Sequence, residues 1–254
     1  MRGLNKQNHL VETTVDDVVR MAIEDVFPEQ TVPDQNNFLP GGRQFKAPDH
    51  AILDGKVFIE RKSRNAADNS RVYYKLQEIA KNQGKPFYAV GQFNMGRIIE
   101  TLPNPEDASR KLTDFILGQM MKSIRNAKHK FEEHAKYVDS DGQLRILIIS
   151  DNTEMRSSTA ADEYFVGRKM GGLELEQDET GMIDAVILVK NPEFVLDQPN
   201  SYWYKCLVKR RVASSDHKTI KSIASALHTR ISCYGPYFPH IQKVRRGRYR
   251  PLIT

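Results

Sequence analysis

Cysteine is scarce in this chain, and its scarcity excludes two kinds of protein. The only two cysteines are Cys206 and Cys233, too few for a disulfide framework or for a cluster of cysteine metal ligands. The sequence therefore predicts a protein of a reducing compartment, and we expect a cytoplasmic location.

Long apolar runs are also missing. The sequence contains no stretch of about 18 apolar residues that would predict a membrane-spanning helix. The first residues, MRGLNKQNHLVETT, lack the apolar segment of a secretory signal. No Walker motif or Gly-x-Ser-x-Gly motif occurs, and the histidines lack metal-ligand spacing. These absences argue against membrane association, P-loop nucleotide hydrolysis and serine-hydrolase chemistry.

Positive charge is abundant, with a formal net charge of +6, and part of it is clustered. The C-terminal stretch HIQKVRRGRYRPLIT has five basic residues and no acidic one: Lys243, Arg245, Arg246, Arg248 and Arg250. A second basic segment surrounds Arg64. Such clusters are typical of contacts with nucleic-acid phosphates, although a solvated basic tail is the alternative.

Hydrophobic periodicity predicts alternating helices and strands. The first 150 residues are predicted to contain a helix over 11–27, strands over 49–53 and 56–63, a helix over 68–83, a strand over 87–93, a helix over 105–137 and a strand over 144–150. Asp54-Gly55 predicts a hairpin between the first two strands. Residues 28–47 are rich in Pro, Asn, Gln and Gly, and they predict either a functional loop or an ordinary flexible connection.

The rest of the chain gives weaker signals. Two strands are predicted over 182–189 and 202–211, and a helix over 217–231. Together the elements predict an α/β fold with a mixed sheet flanked by helices. We expect a core over residues 1–150. Residues 151–254 would be a C-terminal α+β extension of the same domain, or a small specificity region with the basic tail.

The hairpin contains the residues with the clearest chemical meaning. Because side chains alternate along a strand, Glu60 and Lys62 share a face, and Asp49 lies on one face of the partner strand. If the register aligns those faces, two carboxylates and an ammonium converge. Such a group is costly to bury unless it is compensated, and a divalent metal would compensate it.

Magnesium fits that chemistry because it prefers oxygen ligands and needs few carboxylates. Asp49, Glu60 and the backbone carbonyl of Arg61 would bind Mg²⁺, with Mn²⁺ as a substitute. Lys62 would orient or deprotonate an attacking water. The arrangement suits metal-assisted hydrolysis of a phosphodiester.

Pro48-Asp49, ten residues and then Glu60-Arg61-Lys62 resemble the motif of the PD-(D/E)XK nuclease superfamily. The resemblance covers roughly residues 10 to 95, and it implies a restriction-endonuclease-like core. Many members also have a glutamate on the first helix. Glu12 and Glu24 compete for that role, and the helical spacing favours Glu12.

The resemblance extends to the surroundings of the motif. Archaeal Holliday-junction resolvases have a glycine-rich basic loop before the Pro-Asp pair, and Arg43 and Lys46 lie in the matching segment here. Some members use residues of the following helix to contact substrate, which implicates Tyr74 and Gln77. The Gln-x-x-x-Tyr pattern of exonuclease-type members is incomplete, because Lys81 stands where the tyrosine would fall.

We therefore expect a Mg²⁺-dependent endonuclease acting on DNA, of restriction, defence or resolvase type, and a homodimer. The first alternative is an inactive family member that binds nucleic acid without cleaving it. The second is a structural subunit whose basic tail meets an acidic protein.

Overall fold

The structure, a computed structural model, describes residues 14–28, 47–64, 67–88, 94–137, 142–151, 182–190, 202–209, 212–234, 242–243 and 249–250. The helices are α1 (Val15–Val26), α2 (Ala67–Asn82), α3 (Met95–Glu100), α4 (Pro105–Ala135) and α5 (Ser214–Tyr234). The strands are β1 (His50–Ile52), β2 (Val57–Arg64), β3 (Leu144–Asp151), β4 (Ala185–Lys190), β5 (Trp203–Val208), β6 (Gln242–Lys243) and β7 (Tyr249–Arg250).

Five strands form one mixed sheet in the order β1-β2-β3-β4-β5. The three central strands are mutually parallel, and the edge strands β1 and β5 are antiparallel to their neighbours. Helices lie on both faces, so the predicted α/β class and the mixed, helix-flanked sheet are confirmed. Strands from both sides of residue 150 share this sheet. Strands β6 and β7 form a separate two-stranded pair.

One face of the sheet is covered by α1 and α5. This core is rich in β-branched residues, which pack well on a pleated surface. Its members include Val18, Ile23, Ile59, Ile146, Ile148, Ile187, Ile220, Ile223 and Leu227. The apolar residues at helical spacing in the predicted helix over 217–231 are all buried here, which confirms the helical period seen in the sequence: Ile220, Ile223, Ala224, Leu227 and Ile231.

The opposite face is covered by the C-terminal half of α4. Ile124, Ala127 and Phe131 of this helix pack against Phe58 and Leu147 of the sheet. The N-terminal half of α4 packs elsewhere, in a separate helical cluster with α2 and α3 that buries Val72, Leu76, Ile79, Ala80, Leu102, Ala108, Leu112 and Ile116. A single helix therefore belongs to two cores.

Local sequence signals explain the ends of α1 and of the hairpin. Thr14 caps α1 by accepting a hydrogen bond from the backbone N–H of Asp17, whose carboxylate accepts one from the Thr14 backbone N–H. Between β1 and β2 the chain turns over four residues rather than the two predicted. Leu53, Asp54 and Gly55 all adopt positive φ there, which favours glycine and is tolerated by aspartate.

One predicted strand is absent where the structure describes the chain, and one helix of the structure was not predicted. Phe87 and Tyr88, the start of the predicted strand over 87–93, lie outside any strand, and residues 89–93 lie outside the described residues. Helix α3 was not predicted, because it has six residues and too little periodicity to detect. Asn94 caps it by accepting a hydrogen bond from the Arg97 backbone N–H.

Among the described residues, no helix combines the length and apolarity that crossing a bilayer requires.

His134 on α4 predicts a pH-dependent stability. Burial, and then the positive charge of Arg145, lower the pKa of this imidazole below its ordinary value of 6.5. Its ring packs edge-on against Phe58 with centroids 4.6 Å apart. The unfolded chain therefore binds the proton more readily, and the free energy of unfolding should fall as the pH drops from about 6.5. His134→Phe should make this dependence shallower without removing it, because burial also lowers the pKa of His50, to about 4. Urea unfolding at several pH values measures the difference.

His129 of the same helix provides the control, because its side chain is 78% exposed and lies 3.3 Å from Glu132 in a surface ion pair. His129→Phe should change the pH dependence less than His134→Phe does. Equal slopes for wild type and His134→Phe would contradict the assignment to His134.

Candidate active site

The hairpin register sets the geometry of the site. Ala51 pairs with Phe58, so Asp49, two residues earlier, lies opposite Glu60, two residues later. The Asp49 carboxylate accepts a hydrogen bond of 2.7 Å from the backbone N–H of Arg61. Glu60 Oε1 lies 2.5 Å from the Nζ atom of Lys62. The structure thus brings together Asp49, Glu60 and Lys62.

A second lysine, Lys130 of α4, joins them. Its Nζ atom lies 2.8 Å from Asp49 Oδ1 and 2.7 Å from Glu60 Oε2. The contact with Asp49 is a hydrogen bond, whereas the contact with Glu60 Oε2 is a close ion pair without hydrogen-bond geometry. We call Asp49, Glu60, Lys62 and Lys130 the candidate site. Two carboxylates and two ammoniums balance its charge.

Of the four side chains of the candidate site, Glu60 is the most deeply buried, so a charge on it is the least favourable. Its side chain is fully buried, with 0% exposure. Burial and the nearby negative charge of Asp49 raise the pKa of the Glu60 carboxyl, and the contacts with Lys130 and Lys62 oppose that rise. The direction is upward, so Glu60 holds a proton more readily than an exposed glutamate does.

Asp49 shows the opposite balance. Burial would raise the pKa of this carboxyl, but the hydrogen bonds from Lys130 and from the Arg61 backbone N–H outweigh it and lower the pKa. Burial likewise acts to lower the pKa of Lys130, and its two carboxylate partners raise it. Asp49 and Lys130 are therefore a charged pair, beside the less acidic Glu60.

Arg61 reaches the other face of the sheet. Its Nη1 atom donates to the carboxylate of Asp16 on α1 at 2.8 Å. The hydroxyl of Ser150 on β3 lies 3.4 Å from the same carboxylate. This contact ties α1 to β2 directly behind the candidate site. The sequence-based choice of a supporting acidic residue on the first helix is between Glu12 and Glu24 and does not include Asp16.

Arg64 is placed inside the fold and is only 6% exposed. Its Nη1 atom lies 3.3 Å from Asp151 Oδ2, and both side chains are buried. The Nε and Nη2 atoms have no hydrogen-bond partner among the described residues. The predicted contact of Arg64 with nucleic acid would require an exposed guanidinium, and in this structure the group instead pairs with Asp151.

The two residues predicted on α2 differ in exposure. Tyr74 is 66% exposed and presents an aromatic ring to solvent. Gln77 is half-buried and donates to the Tyr73 hydroxyl at 2.9 Å and to the Phe87 carbonyl at 3.3 Å. Tyr74 is therefore available to an incoming ligand, whereas Gln77 already bonds within the chain.

Several predicted residues lie outside the described residues, so their places stay predictions: Glu12, Arg43, Lys46, Arg245, Arg246 and Arg248. Lys243 and Arg250 belong to β6 and β7, and only their backbone is described. Glu24, the competitor of Glu12, accepts a hydrogen bond from Arg20 at 3.1 Å on the same helix.

The donor set of the candidate site is small for a metal. Within the described ranges, no group of three or more His, Cys, Asp and Glu side chains is placed to hold an ion. Two carboxylates do converge: the single atom Lys130 Nζ contacts both Asp49 and Glu60. Mg²⁺ needs only one or two carboxylates and keeps several waters, so Asp49 and Glu60 fit it.

Sequence reasoning missed Lys130. It lies on a helix 81 residues from Asp49 in sequence, and its local pattern does not indicate which residues it contacts. The helical period does place Ala127, Phe131 and His134 on the buried face of α4, and Lys130 lies beside them. A lysine bordering a buried stripe was the available signal.

No family model matches this chain, and no curated protein or solved structure proved significantly similar to it.

The Arg64–Asp151 pair generates a stability prediction. Asp151→Asn removes the counter-charge and leaves a buried guanidinium uncompensated. Breaking a buried ion pair from one side costs roughly 3–5 kcal/mol, so the free energy of unfolding should fall by about that amount. Denaturant unfolding at neutral pH measures it.

The control is the exposed pair between Lys75 and Glu78, in which the Glu78 side chain is 56% exposed. Glu78→Gln should change the free energy of unfolding by less than about 1 kcal/mol. If both variants are destabilised equally little, the Arg64–Asp151 pair does not stabilise the fold.

Proposed function

We propose that this chain is a divalent-metal-dependent nuclease that hydrolyses phosphodiester bonds of DNA. The observation that supports it is the convergence of Asp49, Glu60 and Lys62 across the β1–β2 hairpin. The sequence resemblance to PD-(D/E)XK nucleases, based on Pro48-Asp49 and Glu60-Arg61-Lys62, assigns the same residues. Geometry and motif agree on one place in the chain.

Hydrolysis requires a water oxygen to form a bond to phosphorus while the bond from phosphorus to the leaving sugar oxygen breaks. Asp49 and Glu60 would hold Mg²⁺ or Mn²⁺, which supplies charge neutralisation at the phosphate and an activated water. The Arg61 carbonyl is the third proposed ligand. Its backbone N–H already orients the Asp49 carboxylate.

Lys62 is suited to act on the attacking water. It lies on the same face of β2 as Glu60, and its side chain is 30% exposed, so its ammonium reaches both the carboxylate and solvent. There it would orient the water as an ammonium, or accept a proton from the water as the neutral amine. The leaving oxygen takes a proton in return, so the overall reaction consumes one water.

The proposal extends to an endonuclease of restriction, defence or resolvase type that works as a homodimer. Two copies would place one site on each DNA strand. The basic tail, Lys243 to Arg250, and Arg43 and Lys46 would contact the phosphate backbone. A cytoplasmic location completes the proposal.

A second candidate is a protein that binds nucleic acid without cleaving it. It is favoured by the charge balance of the candidate site, where two ammoniums neutralise two carboxylates. A site balanced in this way is stable without metal. The second candidate would use the basic segments alone.

Lys62→Met tests the first candidate while keeping the aliphatic part of the side chain. Cleavage of supercoiled plasmid in Mg²⁺ or Mn²⁺ should fall roughly 10²- to 10⁴-fold, which is the usual contribution of a positioned proton-transfer group. EDTA should abolish cleavage by the wild type. The matched control is Lys56→Met, because Lys56 is an exposed lysine just before the same strand.

Lys56→Met should cleave like the wild type. Metal-dependent cleavage that survives in Lys62→Met would remove Lys62 from the reaction. A wild type inactive on plasmid, branched, single-stranded and RNA substrates would leave the binding candidate.

Salt dependence tests the role of the basic tail. The logarithm of the DNA-binding constant should fall linearly with the logarithm of salt concentration, with a slope near −0.9 for each phosphate bound. Replacing Lys243, Arg245, Arg246, Arg248 and Arg250 with glutamine should make the slope shallower by about one for each phosphate that the variant no longer binds. An unchanged slope, measured by fluorescence anisotropy in EDTA, would show that the tail does not bind phosphate.

A further inference from the structure

Lys130 occupies the point where the two carboxylates of the candidate site meet. Its Nζ atom is within 2.8 Å of Asp49 Oδ1 and within 2.7 Å of Glu60 Oε2. Lys62, by comparison, contacts Glu60 through the other oxygen, Oε1. The two lysines therefore have different positions: Lys130 bridges both carboxylates, and Lys62 contacts one of them from the side.

The bridge explains how the carboxylates stay close. Asp49 and Glu60 carry like charges, Glu60 is fully buried, and Asp49 is only 25% exposed. Two carboxylates so placed repel each other unless a cation lies between them. Lys130 is that cation in this structure, and its side chain is itself only 19% exposed.

The backbone of Lys130 is held firmly. On either side of it along α4, Ala127 and Phe131 are buried against the sheet, with 0% and 1% exposure. The ammonium, however, is at the end of a flexible four-carbon chain. Lys130 can therefore be anchored through its backbone and still release the carboxylates.

A divalent cation bound to the same oxygens cannot share this point with an ammonium. Two positive centres a few ångströms apart repel, and the repulsion is strong beside a fully buried side chain such as that of Glu60. Metal binding and the Lys130 bridge are therefore mutually exclusive at Asp49 Oδ1 and Glu60 Oε2. One cation must leave before the other binds.

We propose that Lys130 is a built-in competitor of the divalent cation: it holds Asp49 and Glu60 together in the metal-free protein and is displaced when metal binds. The inference rests on the proposed function, because it takes these carboxylates as metal ligands. It makes Lys130 a positioning residue that sets the metal concentration at which the site is filled.

The test is the affinity for Mn²⁺, measured by isothermal titration calorimetry in the absence of nucleic acid. Lys130→Met removes the ammonium and keeps the length of the side chain. It should bind Mn²⁺ more tightly than the wild type, on the order of tenfold, which is within the usual range of coupling between two binding events. Without metal the melting temperature of Lys130→Met should be lower than that of the wild type. Added Mn²⁺ should raise the melting temperature of the variant by more than it raises that of the wild type.

Two variants control the comparison. Lys130→Arg keeps a permanent positive charge at the bridge and should bind Mn²⁺ no more tightly than the wild type. Lys122→Met removes an exposed lysine from the same helix and should match the wild type in both measurements. If Lys130→Met fails to fold, Lys130→Gln is measured in its place.

The outcomes separate this inference from the proposed function. If the wild type cleaves DNA but Lys130→Met binds Mn²⁺ no more tightly, the competition is wrong and the nuclease proposal stands. If Lys130→Met binds Mn²⁺ more tightly but no variant cleaves any substrate, Lys130 competes with metal and the nuclease proposal fails. If neither protein binds Mn²⁺, both are wrong.

Discussion

A charge on Glu60 has to be accommodated inside the protein, and the arrangement around it follows from that constraint. Its side chain is fully buried at the point where the hairpin meets α4. A lone carboxylate there would be very costly. Lys62 from the same strand and Lys130 from α4 each approach one of its oxygens, and Asp49 provides the second partner of Lys130. In the metal-free protein the four groups compensate one another's charges.

The fold provides this set through three separate attachments. The antiparallel register of β1 and β2 places Asp49 opposite Glu60. The packing of Ala127 and Phe131 fixes the backbone of α4 beside them. On the far face of the sheet, the contact of Arg61 with Asp16 joins α1 to the same strand. Helices α1 and α4 are far from the hairpin in sequence, so the site depends on tertiary contacts as well as on the hairpin itself.

The sequence predicts those features of the site and fold that depend on local pattern, such as strand alternation, turn residues and helical period. Two-residue alternation places Glu60 and Lys62 on one face, and Asp54-Gly55 predicts the hairpin that can bring Asp49 beside them if the register is right. The 3.6-residue period of α5 was enough to identify its buried residues. The contact of Lys130 with Asp49 joins residues that are 81 positions apart in sequence, and the Arg64–Asp151 pair joins residues that are 87 positions apart. No local pattern specifies such tertiary contacts. The apolar composition at Phe87 predicts a strand, but Phe87 lies outside any strand. Strand propensity depends on tertiary context, which a local pattern does not contain.

Helix α4 has 31 residues and is therefore about 46 Å long. Its first half is embedded among α2 and α3, and its second half lies on the sheet with Lys130 near its end. The helix is continuous, so an unbroken run of backbone hydrogen bonds joins the cluster of α2 and α3 to the residues beside Asp49 and Glu60. Losing either core would therefore leave one half of the same helix without its packing partner.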